Sequence, residues 1–188
     1  CIPAIYDYAI GHSDWEVFAV AAGTTFFVGV TMALTTRTNN MKVTIRHAFL
    51  ITTTSWLALT IFASLPFAFS DLDMSVTDAF FEAMSGITTT GSTVIIGLDE
   101  APPGILLWRA LLQWLGGIGI IVVAMVFLPE LRVGGMQIFK SESFDTFGKI
   151  LPRAGQIATQ ISVIYLWLTL ACMLSYLALG MTTFDATV

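Results

Sequence analysis

The sequence predicts an all-α integral membrane protein in which full-length spans flank a half-length re-entrant helix. Three observations predict it. Of the 188 residues, 56% are apolar and 11% charged, whereas an ordinary soluble domain carries about 25% charged residues. The apolar residues lie in uncharged runs long enough to cross a bilayer, which takes roughly 20 residues at a rise of about 1.5 Å each. One further apolar stretch is too short and too polar to cross, and a helix-start signal precedes it.

Val17 to Thr36 is 20 residues without charge and forms the first span. Asn39-Asn40 then marks a turn inside a loop that carries Arg37, Lys42 and Arg46. His47 to Ser70 holds 24 uncharged residues and is the second span, with Pro66 near its end, where a lost backbone hydrogen bond costs least. Pro102-Pro103 opens the third span, which runs from about Gly104 to Leu128 and closes at Pro129. Residues 130–153 carry seven charges and read as an amphipathic surface segment. Ala154 to Phe184 is uncharged for 31 residues, and the core of the fourth span is set at Ile157 to Leu179.

Charge placement predicts the orientation. The two loops 37–46 and 130–153 hold seven basic and three acidic residues, whereas the rest of the chain holds one basic residue, Arg109, and ten acidic ones. Basic loops stay in the cytoplasm on insertion. The N-terminus and the 71–100 segment are therefore expected outside. The chain begins at Cys1 and ends just after a second helix-start pattern, so it reads as a piece of a longer protein.

That second pattern is an internal repeat. Met74-Ser75-Val76-Thr77-Asp78-Ala79 recurs 107 residues later as Met181-Thr182-Thr183-Phe184-Asp185-Ala186. Each copy follows a span with Leu-x-Leu-Thr, at Leu57 to Thr60 and at Leu166 to Thr169. The shared Ser/Thr-x-x-Asp is a capping box: the hydroxyl accepts from the third backbone N–H and the carboxylate reaches back to the first residue. Asp78 and Asp185 are thus expected to start helices rather than to bind ions. Glu82, one turn beyond Asp78, is expected to be a mouth-facing carboxylate.

The helix begun at Ser75 can run to about Gly86, roughly 16 Å, about half of a hydrocarbon core of ~30 Å. It enters from outside, so its negative C-terminal end points to the midplane and favours a cation. Ser85-Gly86-Ile87-Thr88-Thr89-Thr90-Gly91-Ser92-Thr93 follows. Non-helical backbone at membrane depth survives only where protein or a water-filled path satisfies it. Threonines ending in a glycine suit a strand whose carbonyls replace the hydration shell of a cation. Gly91 permits the positive φ that turning carbonyls inward requires.

The succession of span, half-helix and Thr-Thr-Thr-Gly-Ser, then Leu107-Trp108-Arg109-Ala110-Leu111-Leu112-Gln113-Trp114-Leu115-Gly116-Gly117-Ile118-Gly119-Ile120, resembles the first membrane–pore–membrane repeat of the TrkH family. Val133-Gly134-Gly135-Met136-Gln137 resembles it as well. The resemblance implies a potassium-channel-like fold and potassium transport across the bacterial inner membrane. It also implies a pore of four repeats in a homodimer, and a cytoplasmic nucleotide-binding partner of the TrkA type. It places potassium on the carbonyls of Thr88, Thr89, Thr90 and Gly91, with Ser92 just outside them, and gives Arg109 a supporting place beside them. The organisation it implies is an N-terminal segment, first span and cytoplasmic loop at 1–46, the first repeat at 47–129, a cytoplasmic amphipathic linker at 130–155, and the start of a second repeat at 156–188.

Other chemistry is weaker in the residues. Gly116-Gly117-x-Gly119 lies inside a span with no strand before it, so close helix packing is the better account than a phosphate loop. Arg109 within a span needs a partner, Glu82 or Asp78, or must snorkel to the interface. A membrane enzyme using Asp78, Glu82 and Arg109 lacks a nucleophile and a metal set, and a purely anchoring segment leaves the repeated half-helix unexplained. His12 and His47 have no metal-ligand company, no basic patch suggests nucleic acid, and no cofactor is indicated. Cys172 is expected to be a small apolar filler.

Overall fold

In the computed structural model, residues 2–36, 45–127 and 147–188 are described, and every regular element among them is helical. They are α1 (Ile2–Ile10), α2 (Trp15–Thr35), α3 (Ile45–Phe69), α4 (Val76–Ile87), α5 (Pro103–Phe127) and α6 (Phe147–Ala178), with a single 3-10 turn at Leu98–Glu100. The chain divides into two compact units, residues 1–114 with Val188, and residues 115–187.

Four helices are long and apolar enough to cross a membrane: Trp15–Thr35, Phe49–Phe69, Pro103–Val123 and Thr159–Ala178. They coincide with the four spans expected from the uncharged runs, and the protein is a multi-pass membrane protein. Most of the basic loops lie outside the described residues, as does Val133-Gly134-Gly135-Met136-Gln137. α6 begins at Phe147, ten residues before the expected core of the fourth span.

The spans absorb their polar residues internally. Thr24, Thr25 and Thr31 of α2 donate to the carbonyls of Val20, Ala21 and Phe27 at 2.9, 2.7 and 2.8 Å. Such back-bonding lets a hydroxyl sit on an apolar helix without a water partner. Pro66 lies inside α3 and supplies no N–H. Close to that gap, the carbonyl of Ala63 accepts a hydrogen bond of 3.0 Å from the Trp108 indole of α5.

The sequence reading missed α1. It ends in a Schellman motif: Gly11 has φ 75°, its N–H bonds to Tyr8 O at 3.2 Å and that of His12 to Asp7 O at 2.9 Å. α6 ends the same way, with Gly180 at φ 94°, Gly180 N to Leu177 O at 3.1 Å and Met181 N to Tyr176 O at 3.1 Å. Cys172, expected as a small apolar filler, is exposed on α6, where nothing from Thr159 to Ala178 is buried within the chain.

The core of the first unit gathers Phe18 of α2, Ala63 and Phe67 of α3, Ala79 and Ala83 of α4, and Ile105 and Leu112 of α5. Phe18 meets Trp108 edge-on with ring centroids 6.1 Å apart. Alanines on α4 let it lie close against its neighbours. At Gly86 an added Cβ would come within 3.1 Å of Leu112 Cβ.

Ala83 has no exposed surface. Replacing it by leucine should force α4 away from its packing partners and cost about 1–3 kcal/mol. Thermal unfolding in detergent should report this as a lowered midpoint, and an unchanged midpoint would show that α4 has room there.

Candidate functional site

The site is built on α4 and the chain that leaves it. Ser75 is the N-cap, in extended conformation, and its hydroxyl accepts from Asp78 N at 3.1 Å. The same hydroxyl donates to Asp78 Oδ2 at 2.7 Å. The carboxylate therefore returns to the side chain of the cap residue, not to its backbone N–H as the capping box predicts. Thr182 and Asp185 reproduce this geometry, with Asp185 N to Thr182 Oγ1 at 3.2 Å and Thr182 Oγ1 to Asp185 Oδ2 at 2.7 Å. Ala79 N to Ser75 O at 2.9 Å is matched by Ala186 N to Thr182 O at 3.0 Å. The repeat seen in the letters is thus a repeat in hydrogen bonding.

α4 has 12 residues, about 18 Å, too short to cross a bilayer of ~30 Å apolar thickness. Its buried face is Ala79, Glu82, Ala83, Ser85, Gly86 and Ile87. Glu82 corrects the sequence expectation. It is 1% exposed and does not face a mouth. The spacing from Asp78 puts it one turn further along, where α4 is already enclosed.

Its carboxylate joins three segments. Oε1 pairs with Arg109 Nε of α5 at 2.5 Å. Oε2 accepts from Thr93 Oγ1 at 3.1 Å and from Val94 N at 3.0 Å. A buried charge needs a partner of opposite sign and hydrogen bonds on its remaining lone pairs; Glu82 has both. Arg109 within a span finds here the partner it requires. Asp78 is occupied by Ser75, so the three residues weighed as a catalytic set do not converge: Glu82 and Arg109 meet, and Asp78 stands apart.

The sign of φ alternates along the run after α4. Thr88 has φ −84° and ψ 4°, Thr89 has φ 57°, Thr90 returns to negative φ, and Gly91 has φ 77°. Such alternation sends successive N–H groups to one side of the chain. The N–H groups go to the end of α4: Thr88 N to Met84 O at 2.9 Å, Thr89 N to Gly86 O at 3.0 Å, Thr90 N to Ser85 O at 3.0 Å and Gly91 N to Ser85 O at 3.4 Å.

Ser92 is placed differently. Its carbonyl accepts from Ser85 Oγ at 2.6 Å and so turns back toward α4. Thr88 Oγ1 donates to Met84 O at 2.7 Å and lies 2.9 Å from Thr90 Oγ1. Thr89, Thr90 and Gly91 are exposed and Thr88 half-buried.

Gly91 takes the conformation expected of it. Thr89 was not foreseen as a second left-handed position. A β-branched residue at positive φ is an outlier that costs of order 1–3 kcal/mol and is held only by surroundings that over-determine it. No signal in the sequence marks it, because threonine ordinarily prefers extended backbone. Gly116, Gly117 and Gly119 lie inside α5 and form no loop. Among the described residues no group of three or more His, Cys, Asp or Glu side chains could hold a metal ion.

The sequence profile of the TrkH cation transport proteins matches residues 16–188. The chain belongs to the TrkH family. Among the TrkH relatives, the Trk system potassium uptake protein TrkH of Halomonas elongata is 41% identical over 98% of this chain and 39% of its own length. The protein of that name from Vibrio parahaemolyticus is 46% identical over 87% of this chain and 35% of its own. The one from Escherichia coli K12 is 39% identical over 98% of this chain and 38% of its own. The crystal structure of the potassium transporter TrkH from Vibrio parahaemolyticus matches the fold with a TM-score of 0.85 at 39% identity, covering 99% of this chain and 37% of that one. The chain therefore spans well under half the length of each of these TrkH proteins.

Glu82→Ala should strand the Arg109 guanidinium and the two donors at Thr93 and Val94, at a cost of about 3–5 kcal/mol. Loss of monodisperse protein on size exclusion, or a sharply lowered unfolding midpoint, is the expected readout. The double replacement Glu82→Leu with Arg109→Leu should recover part of the loss, because an apolar pair leaves no buried charge. Equal damage from the double and the single variant would overturn this account.

Proposed function

We propose that this chain supplies one filter strand, and the start of the next pore helix, of a potassium-uptake pore in the bacterial inner membrane. The supporting observation is the alternation of φ sign from Thr88 to Gly91, with the N–H groups committed to α4. On this reading the carbonyls of Thr88, Thr89, Thr90 and Gly91 replace water around a dehydrated potassium ion, and Ser92 anchors the strand from just outside. Relatives named as potassium uptake proteins support the choice of ion.

The reading assigns 1–46 to an N-terminal segment, span and cytoplasmic loop. It assigns 47–129 to the first complete pore repeat, 130–155 to a cytoplasmic linker and 156–188 to the opening of the second repeat. One strand cannot enclose an ion, so further repeats complete the path, in a homodimer regulated by a cytoplasmic nucleotide-binding partner of the TrkA type. The chain acts in transport and not in catalysis: Glu82 and Arg109 are spent on each other and on the strand.

Substitution of Gly91 separates folding from conduction. A Cβ at Gly91 would meet nothing within 4 Å, so space is not the constraint. The positive φ is, at about 1–3 kcal/mol. In the complete protein Gly91→Val should reduce rubidium uptake by about fivefold to 160-fold, one decade for each 1.36 kcal/mol, while membrane insertion is retained. Undiminished uptake in a correctly inserted variant would remove Gly91 from the ion path.

A further inference from the structure

The first unit contains a second set of buried charges, away from the Glu82–Arg109 pair. Asp7 of α1 has no exposed surface and Asp14, at the start of α2, has 1%. Both oxygens of Asp7 and Oδ2 of Asp14 lack a hydrogen-bond partner. Burial of such groups without compensation is costly, and the positions they occupy are specific.

The carboxyl of Asp7 lies against Gly104, in the first turn of α5, so closely that a Cβ there would overlap it. The Gly104 amide faces it without completing a hydrogen bond. Asp14 stands at the N-cap of α2, yet its side chain makes no cap hydrogen bond. The backbone and carboxyl of Asp71, just beyond α3, act on it electrostatically. Ser13 Oγ adds a hydrogen bond of 3.3 Å to Asp71 Oδ2. His12 Nδ1 accepts from Asp14 N at 3.4 Å and lies 3.9 Å from Asp14 Oδ2. While that nitrogen accepts it cannot donate to Asp14, and only a protonated His12 carries the charge that opposes the rise of the two carboxyls.

The groups that act on the two carboxyls are therefore Asp14 and the amide of Gly104, at the start of α5, on Asp7, Asp71, beyond α3, on Asp14, and His12, in the α1–α2 turn, on both. We propose that Asp7 and Asp14 form a proton-dependent latch, which fastens the α1–α2 hairpin to the C-terminal end of α3 and the N-terminal end of α5 when protonated and loosens it when ionised. Protonated, Asp14 can donate to Asp71 and Asp7 stays buried at little cost; ionised, Asp14 repels both Asp7 and Asp71 while burial strips both carboxylates of water.

The electrostatics agree with the geometry. Burial, the largest cause for both, raises the two carboxyls above their ordinary value of 3.8. For Asp7 the charge of His12 acts the other way, and Asp14 raises it further. For Asp14 the charge of Asp71 raises it and that of His12 opposes. A raised carboxyl contributes to docking fully below its ordinary range, and that contribution is lost as pH rises through the raised value. Close groups of this kind titrate as a set, not singly.

The test places spin labels on the exposed residues Ile5 of α1 and Val76 of α4. It uses the full protein, with Ile5→Cys and Val76→Cys introduced and Cys1 and Cys172 replaced by serine. Pulsed dipolar distances are measured at a pH just below the ordinary carboxyl value of 3.8 and at about pH 8, the upper end of the usual stability range. A single narrow distance at the lower pH, broadening or lengthening at the higher, is expected. Asp7→Asn with Asp14→Asn should keep the narrow distance at both. Asp71→Asn, at an exposed position outside the core, should weaken the response and serves where the double variant misfolds. A distance that ignores pH in the parent, or a pH response that survives Asp14→Asn, overturns the latch.

Discussion

One buried carboxylate ties the first unit together where its backbone is least regular. Glu82 reaches Arg109 on α5 with one oxygen and the chain at Thr93 and Val94 with the other. Without it the guanidinium would sit unpaired in a span and the chain leaving α4 would have no fixed return. Irregular backbone at membrane depth is tolerated only where its polar groups are met by protein or water. Glu82 meets one end of this segment, and the last carbonyls of α4 meet the other. Trp108, one residue before Arg109, bonds to α3 and packs on Phe18 of α2. The position of Arg109, and through it that of Glu82, is thereby referred to three helices at once.

Strain is concentrated in the same place. Thr89 occupies a conformation that a β-branched residue avoids, beside a glycine that adopts it freely. A threonine confined there has few alternatives once its neighbours are bonded, so the run is stiffer than one built of glycines. The hydroxyls of Thr88 and Ser85 add to this by bonding to Met84 and Ser92.

Much of this was legible in the letters, for physical reasons. Spans announce themselves because a charge in lipid is costly, so uncharged runs mark them within a few residues. α4 was legible because its start carries a cap signature and its length falls short of a span. A partner for Arg109 was legible as a requirement. Which carboxylate would supply it was not, since Asp78 and Glu82 share a face by spacing alone and only the packing of α4 separates them. α1 was missed because its nine residues fall far short of a span, although Gly11 with its following polar residues marks a break between helices. The turn of Asp14 away from its capping position was invisible too, because an aspartate before a helix is ordinarily its cap. Thr89 was invisible because local preference pointed the other way and the surrounding bonds overrode it.

The bonding of Thr88 to Gly91 onto the end of α4 has a mechanical consequence. Four amides in a row are anchored to carbonyls of a single helical turn, so the strand has no freedom to slide along α4 or to rotate one peptide plane without breaking its anchor. Any shift or tilt of α4 carries the whole tract as one rigid tile. The residues of that tract would advance or retreat in unison.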